Sequence, residues 1–285
     1  STTQGPDSSQ TGPTFRLPPQ ALRPFIKAYR SQEVDINTMD RWAPAWTQSF
    51  LLLNYGEIYS MMTTRGDMIR GYPATLAGIR TLPAIGTKPY VRMRTIVVEF
   101  QPLGLYAILG ERIKDTVDGS LDGAQVFPGI EELIPHMENR SFTEKCSELD
   151  SFFTGLLGNR KPLQHPGLEN ALEVLQKPAK QRSIESILDS AGLSSRHFRR
   201  IFKQMIGVSP KLYSRILRME RVLQEFHQNP DLDYLERVHG FYDQSHFIRE
   251  FKRFTNVTPR RLLRAFQNAN VRKVHSNLEK ADPHD

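Results

Sequence analysis

The sequence predicts an α+β protein. A β-rich front, sandwich- or barrel-like, precedes an all-helical back in which two similar units are joined by a long helix. Three observations predict it. Residues 15–104 mix β-branched and aromatic runs with closely spaced glycines and prolines, the punctuation of short strands. From residue 168 nearly to the end, apolar residues recur at helical spacing. Within that helical stretch one pattern occurs twice, and an internal repeat constrains architecture more than any local signal.

Residues 1–14 are polar and rich in Gly, Pro, Ser and Gln, which predicts a disordered tail. Ser49–Tyr55 and Tyr90–Phe100 read as strands, and Gly56, Gly66, Gly71, Gly78 and Gly86 as breaks around them. Gln101 to Gly104 reads as a turn, with a helix starting over Leu105–Leu109. Phe142, Cys146, Leu149, Phe153, Leu156 and Leu157 fall on one helical stripe. That stripe either packs on its own sheet or forms a dimer contact, and it closes a front domain over residues 15–158. Residues 159–167 hold two prolines and read as a linker. The helical domain is then 168–270, with a tail over 271–285.

In that domain a first helix over about 168–176 stops before Pro178, and a second runs from about Ser183 to the αL turn at Ala191-Gly192. Ser194 caps a helix over Ser195–Ile206, which Gly207 ends. Ser209 caps the long connector, with Pro210 at its first position, where a missing N–H costs nothing. The second unit repeats this plan: a helix over Tyr234–His239, a turn at Gly240, a helix over Gln244–Thr255, Asn256 as stop, Thr258 as cap and Pro259. The matching segments are Phe198-Arg199-Arg200-Ile201-Phe202-Lys203 with Pro210, and Phe247-Ile248-Arg249-Glu250-Phe251-Lys252 with Pro259. Phenylalanines four apart share one helix face and anchor it, so the opposite face points outward.

That outward face is chemically suited to DNA. Arginine pairs in bidentate fashion with guanine and glutamine with adenine, while Ser, Lys and helix-start N–H groups suit phosphates. Charge agrees: the chain carries +7, residues 1–165 hold 17 Lys and Arg against 17 Asp and Glu, and residues 166–285 hold 21 against 14. The basic half is thus the one expected to meet a polyanion. Solvated amphipathic faces are the alternative for one helix, but not for two with matching stops, caps and arginines.

Residues 182–265 resemble the DNA-binding domain of the AraC/XylS family of bacterial transcription regulators. The resemblance is carried by GLSSRHFRRIFKQMIGVSPKLY (192–213) and GFYDQSHFIREFKRFTNVTPRRLL (240–263). It implies two helix-turn-helix units, with Arg196, Arg199, Arg200, Gln244, Ser245, Ile248 and Arg249 at base-facing positions. Ser194, Lys203, Lys252, Arg253 and Asn256 are assigned to phosphates. Gly240 then serves the turn, Phe241 and Phe247 the packing, and His246 a packed or capping role. Leu188 and Glu236 stand where the family usually has alanine, and a larger side chain there is expected to widen the helix crossing.

By the same resemblance the front is a sensory domain. Its residues Trp46, Tyr55, Arg80, Arg92 and Arg94 are candidates for an effector pocket, against a reading as core and strand-surface packing. The partners expected are double-stranded DNA, RNA polymerase, a small-molecule effector and a second copy joined through the front domain. The sequence shows no Gly-x-Ser-x-Gly, no phosphate loop and no paired histidines at metal spacing. No enzyme, cofactor or metal is expected. The single cysteine, Cys146, reads as an inert buried thiol, and the compartment as a reducing cytoplasm without membrane insertion. The competing reading is a small-molecule-binding or enzymatic β domain whose helices only assemble proteins.

Overall fold

The computed structural model describes residues 15–36, 42–176 and 194–268. The expected tails at 1–14 and 271–285, the helix near 183–192 and Leu188 lie outside the described residues.

Among the described residues, ten strands form the front: β1 (Phe15–Arg16), β2 (Ile26–Ile36), β3 (Trp42–Ala43), β4 (Ser49–Asn54), β5 (Met61–Thr63), β6 (Met68–Ile69), β7 (Ala74–Ala77), β8 (Ala84–Gly86), β9 (Val91–Phe100) and β10 (Ser120–Asp122). They make a six-stranded sheet, ordered β1-β2-β9-β4-β7-β10, and a four-stranded sheet, ordered β3-β8-β5-β6. β2 and β9 pair antiparallel from Ile26↔Phe100 to Ile36↔Val91, with a bulge near Ile26. β2 went unread in the sequence because the charged residues Lys27, Arg30, Glu33 and Asp35 interrupt its apolar positions.

The first helix, α1, spans Pro102–Leu109. This corrects the expected turn at 101–104: Pro102 takes the first helical position, as its lost N–H allows. Gly104 is required there because a Cβ would sit 2.3 Å from the Phe25 carbonyl oxygen. A 3-10 segment (Gly110–Thr116), a short α2 (Ile134–Met137) and α3 (Phe142–Leu157) follow. A capping box between Ser141 and Glu144 starts α3.

The apolar stripe of α3 is buried in its own domain. Cys146, Leu149, Phe153 and Leu157 join Phe100 and Phe127 in the core, and the Phe153 ring stands edge-on to Phe127 at 5.6 Å. Phe142 and Leu156, on the same stripe, are half-buried at its edge. Burial pushes the Cys146 thiol up to about 12, so it stays neutral and unreactive.

The back is helical: α4 (Pro166–Gln176), α5 (Ser195–Ile206), α6 (Pro210–Gln228), α7 (Leu232–Val238), α8 (Gln244–Thr255) and α9 (Pro259–Asn268). The 19 residues of α6 span about 28 Å at roughly 1.5 Å per residue. One core runs through the helices from Leu168 to Phe254 and includes Ala45, Ile79 and Leu103 from the front half.

Candidate nucleic-acid interface

The two repeated segments fold alike. In α5 the Ser194 hydroxyl accepts the His197 N–H, and Gly207 ends the helix at φ 91°. In α8 the Asp243 carboxylate accepts the His246 N–H at 2.6 Å, and Asn256 ends the helix at φ 60°. Glycine reaches that region without strain, and asparagine tolerates it better than most residues. Ser209 and Thr258 then cap α6 and α9 by accepting the N–H groups of Leu212 and Arg261. Each helix ends in a left-handed residue, and the next begins at a hydroxyl cap followed by proline.

Behind each helix the rings interlock. Phe198 and Phe202 lie 5.6 Å apart, and Tyr213 of the connector meets Phe202 edge-on at 5.5 Å. Phe247 and Phe251 lie 5.7 Å apart, and Phe226 of the connector packs on Phe251 at 6.2 Å. All four phenylalanines are fully buried, a large apolar contribution for two short helices.

The outer faces carry the residues assigned to DNA. Arg196, Arg199, Arg200 and Lys203 are exposed on α5, as are Gln244, Ser245, Ile248, Arg249, Lys252 and Arg253 on α8. Ser194 and Asn256 at the helix ends are exposed too. Among the described residues, none of these cations is bound to a carboxylate. An exposed, unneutralised row of this kind is an electrostatic footprint for phosphates.

Other basic residues of the repeat region point inward, and sequence reasoning did not separate them. Arg215 of the connector donates both arms of its fork to Glu250 of α8, at 2.7 and 2.5 Å. Burial alone would raise the Glu250 carboxyl, but the Arg215 hydrogen bonds and charge outweigh it and hold it below the usual carboxylate range. Arg218 lies over the Phe241 ring at 5.4 Å. Helical phase is the signal that could have found them: both lie on the connector face that carries Leu212, Met219 and Val222.

The turn of the second unit is held by packing. Gly240 sits at φ 66°, and the His246 ring accepts the Tyr242 N–H and packs against Phe241. Glu236 is half-buried in a groove beside Gln244, Ile248 and Arg260.

The five effector candidates do not converge on one place. Trp46 and Arg80 are together: the guanidinium lies 3.7 Å over the indole, and Nε donates to the Pro44 carbonyl at 3.1 Å. Tyr55 and Arg94 are backbone neighbours, with the Tyr55 hydroxyl donating to Glu33 and Arg94 paired with Glu138. Arg92 pairs with Asp35 on the exposed strand surface. Among the described residues there is no helix long and apolar enough to cross a membrane, and no cluster of His, Cys, Asp and Glu that could hold a metal ion.

Two short amphipathic helices, α5 and α8, each capped at its start and both braced on one connector, define a helix-turn-helix type of domain. Residues 187–265 match a family model described as a helix-turn-helix domain. The HTH-type transcriptional regulator MtrA of Neisseria gonorrhoeae is 29 % identical over 89 residues, 30 % of this chain and 29 % of that protein. An HTH-type transcriptional regulator of Haemophilus influenzae is 32 % identical over 101 residues, 34 % of this chain and 33 % of that protein. The chain therefore spans about a third of the length of the curated relatives it matches. Among solved structures, fatty-acid-bound ToxT from Vibrio cholerae superposes with a TM-score of 0.49 at 11 % identity, covering 82 % of this chain and 94 % of that one. The AraC-like transcriptional activator CuxR superposes with a TM-score of 0.26 at 14 % identity, covering 70 % of this chain and 76 % of that one. Over residues 187–265 the chain is thus similar to helix-turn-helix transcription regulators.

Proposed function

We propose that this protein is a sequence-specific DNA-binding transcription regulator whose helices α5 and α8 enter two successive major grooves on one face of the duplex. The observation that carries the reading is the pairing itself: two unneutralised arginine faces, each backed by a buried pair of phenylalanines, on one connector. Successive major grooves lie about 34 Å apart, a span that two helices on a stiff connector of this length can bridge. Arg196, Arg199, Arg200, Gln244, Ser245, Ile248 and Arg249 read bases. Ser194, Lys203, Lys252, Arg253 and Asn256 hold the backbone.

Footprinting on genomic DNA supplies the site, and titration on that duplex tests the roles. Arg200→Ala or Arg249→Ala is expected to cost about 1–3 kcal/mol and to relax preference at one base position. Lys203→Ala or Lys252→Ala is expected to weaken cognate and random duplexes alike and to flatten the salt dependence. Equal loss on both duplexes from the arginine variants would remove them from base reading.

The front domain is proposed to receive an anionic effector beside Trp46 and Arg80. In support, Arg80 is enclosed, and its Nη2 has no hydrogen-bond partner among the described residues. Burial pushes its guanidinium down to about 9, against the pull of Asp118 and Tyr59. A carboxylate entering there would relieve an uncompensated charge. Small carboxylic acids of increasing chain length are expected to raise the melting temperature of the wild type and not of Arg80→Met. No rise with any acid would discard the effector site.

A further inference from the structure

The segment between β3 and β4, residues 44–48, is gripped from both halves of the chain. From the front, Trp46 and Arg80 exchange backbone hydrogen bonds at 2.9 and 3.0 Å. From the back, the Ala45 N–H donates to the Phe254 carbonyl, in the last turn of α8, at 2.9 Å. Glu220, midway along the connector α6, accepts the Thr47 N–H at 2.5 Å, the Thr47 hydroxyl at 2.9 Å and the Gln48 side-chain amide at 3.4 Å. The Ala45 side chain is fully buried in the helical core.

Resting on the DNA-reading role proposed above, we propose that residues 44–48 form a strap by which the β domain fixes the second reading helix against the connector, and that Glu220 is the positioning residue that fastens it. The strap meets α8 two residues before its left-handed stop and meets α6 near its middle. It thus bridges the same two helices that Arg215 and Glu250 join. Three donors converge on one carboxyl group of a half-buried residue.

The fastening depends on protons. No cation is in contact with the Glu220 carboxylate among the described residues. The charged or titratable groups facing it are Lys27 of β2, itself paired with Glu99, and Tyr213 and Arg221 on its own helix. Arg221 is engaged at the Leu175 carbonyl of α4. Residues 44–48 present no titratable side chain. Burial pushes Glu220 up from 4.5 to about 7, against the downward pull of the Thr47 and Gln48 donors and of Lys27. The fastened state therefore binds the proton more tightly than a released, hydrated carboxyl. Fastening is strongest below about 4.5, weakens by up to roughly tenfold per pH unit above that, and levels off near 7. When protonated, Oε2 donates to the Thr47 hydroxyl while Oε1 still accepts the Thr47 N–H. Glutamine reproduces that arrangement at every pH.

Amide hydrogen exchange at Ala45 and Thr47 in the full chain, corrected for intrinsic rates, tests this. In the wild type, protection is expected to fall about tenfold from pH 6 to pH 8. Glu220→Gln is expected to stay protected at both values, and Glu220→Ala to lose protection at both. Thr47→Val, which keeps the fold and removes one donor, is expected to lower protection at both. Wild-type protection in Glu220→Ala, or an undiminished pH response in Glu220→Gln, overturns the strap. Affinity for the footprinted duplex is the separate readout. A wild type that binds no specific duplex sinks the DNA-reading role and leaves the exchange result to decide the strap alone.

Discussion

Replacing Phe251 with alanine is expected to cost about 3–5 kcal/mol of folding stability, the range for removing a fully buried aromatic ring. Phe251 is 0 % exposed. Its ring contacts Phe247 on its own helix and Phe226 on the connector, so the cavity would open at the joint between reading helix and support. Little can collapse into it, because Phe247 is also held by the Phe241 ring at 5.0 Å. Denaturant unfolding measures the loss, and duplex affinity should fall with it, since a loosened α8 no longer presents Gln244 and Arg249 in one orientation. Phe202→Ala is the equivalent change in the first unit and should behave alike. A loss below about 1 kcal/mol would mean that α8 is not anchored through its rings.

Arg215→Ala is the second large effect, expected at about 2–3 kcal/mol. The variant leaves Glu250 half-buried and deprived of two charge-assisted hydrogen bonds. The partners are 25 % and 12 % exposed, so water makes up part of the loss and the figure stays below that of a fully buried pair. The pH dependence follows from the Glu250 shift. Its folded value lies below the unfolded one, so the pair stabilises the protein above the usual carboxylate range and the benefit is lost as pH falls through the folded value. Wild type and Arg215→Ala should therefore differ most near neutrality and converge in acid. A constant gap down to pH 3 would assign the loss to the Arg215 guanidinium lying over the Phe254 ring.

Much of the helical half was legible because its signals are local. Gly207 and Asn256 are left-handed stops, Ser194, Ser209 and Thr258 are caps, and Phe pairs four apart define a buried face. Each depends on residues within a turn of one another. What the sequence hid depends on distance. Arg215 looks like any outward cation until Glu250, remote in sequence, is folded against it. Glu220 looks like a solvated connector residue until Thr47, from the other half of the chain, closes over it. In the front, β4 and β9 stand out as apolar runs. β2 does not, because charged residues interrupt its apolar positions, and two of them, Lys27 and Arg30, find their partner Glu99 only across the sheet. Residue type alone does not say that Trp46 stacks on Arg80 while Arg92 stays out on a strand surface.

The helical core contains three residues that are not its own. Ala45, Ile79 and Leu103 reach into it from the front half, and a Cβ on Gly207 would meet the Val117 side chain at 2.7 Å. Cutting the chain between Leu157 and Pro166 would thus leave an oily scar on both fragments, and the freed helical piece would be stickier than the intact protein. Heat should dissolve both halves together in one cooperative melt, so a truncated fragment is a poor proxy for how the whole molecule grips its target.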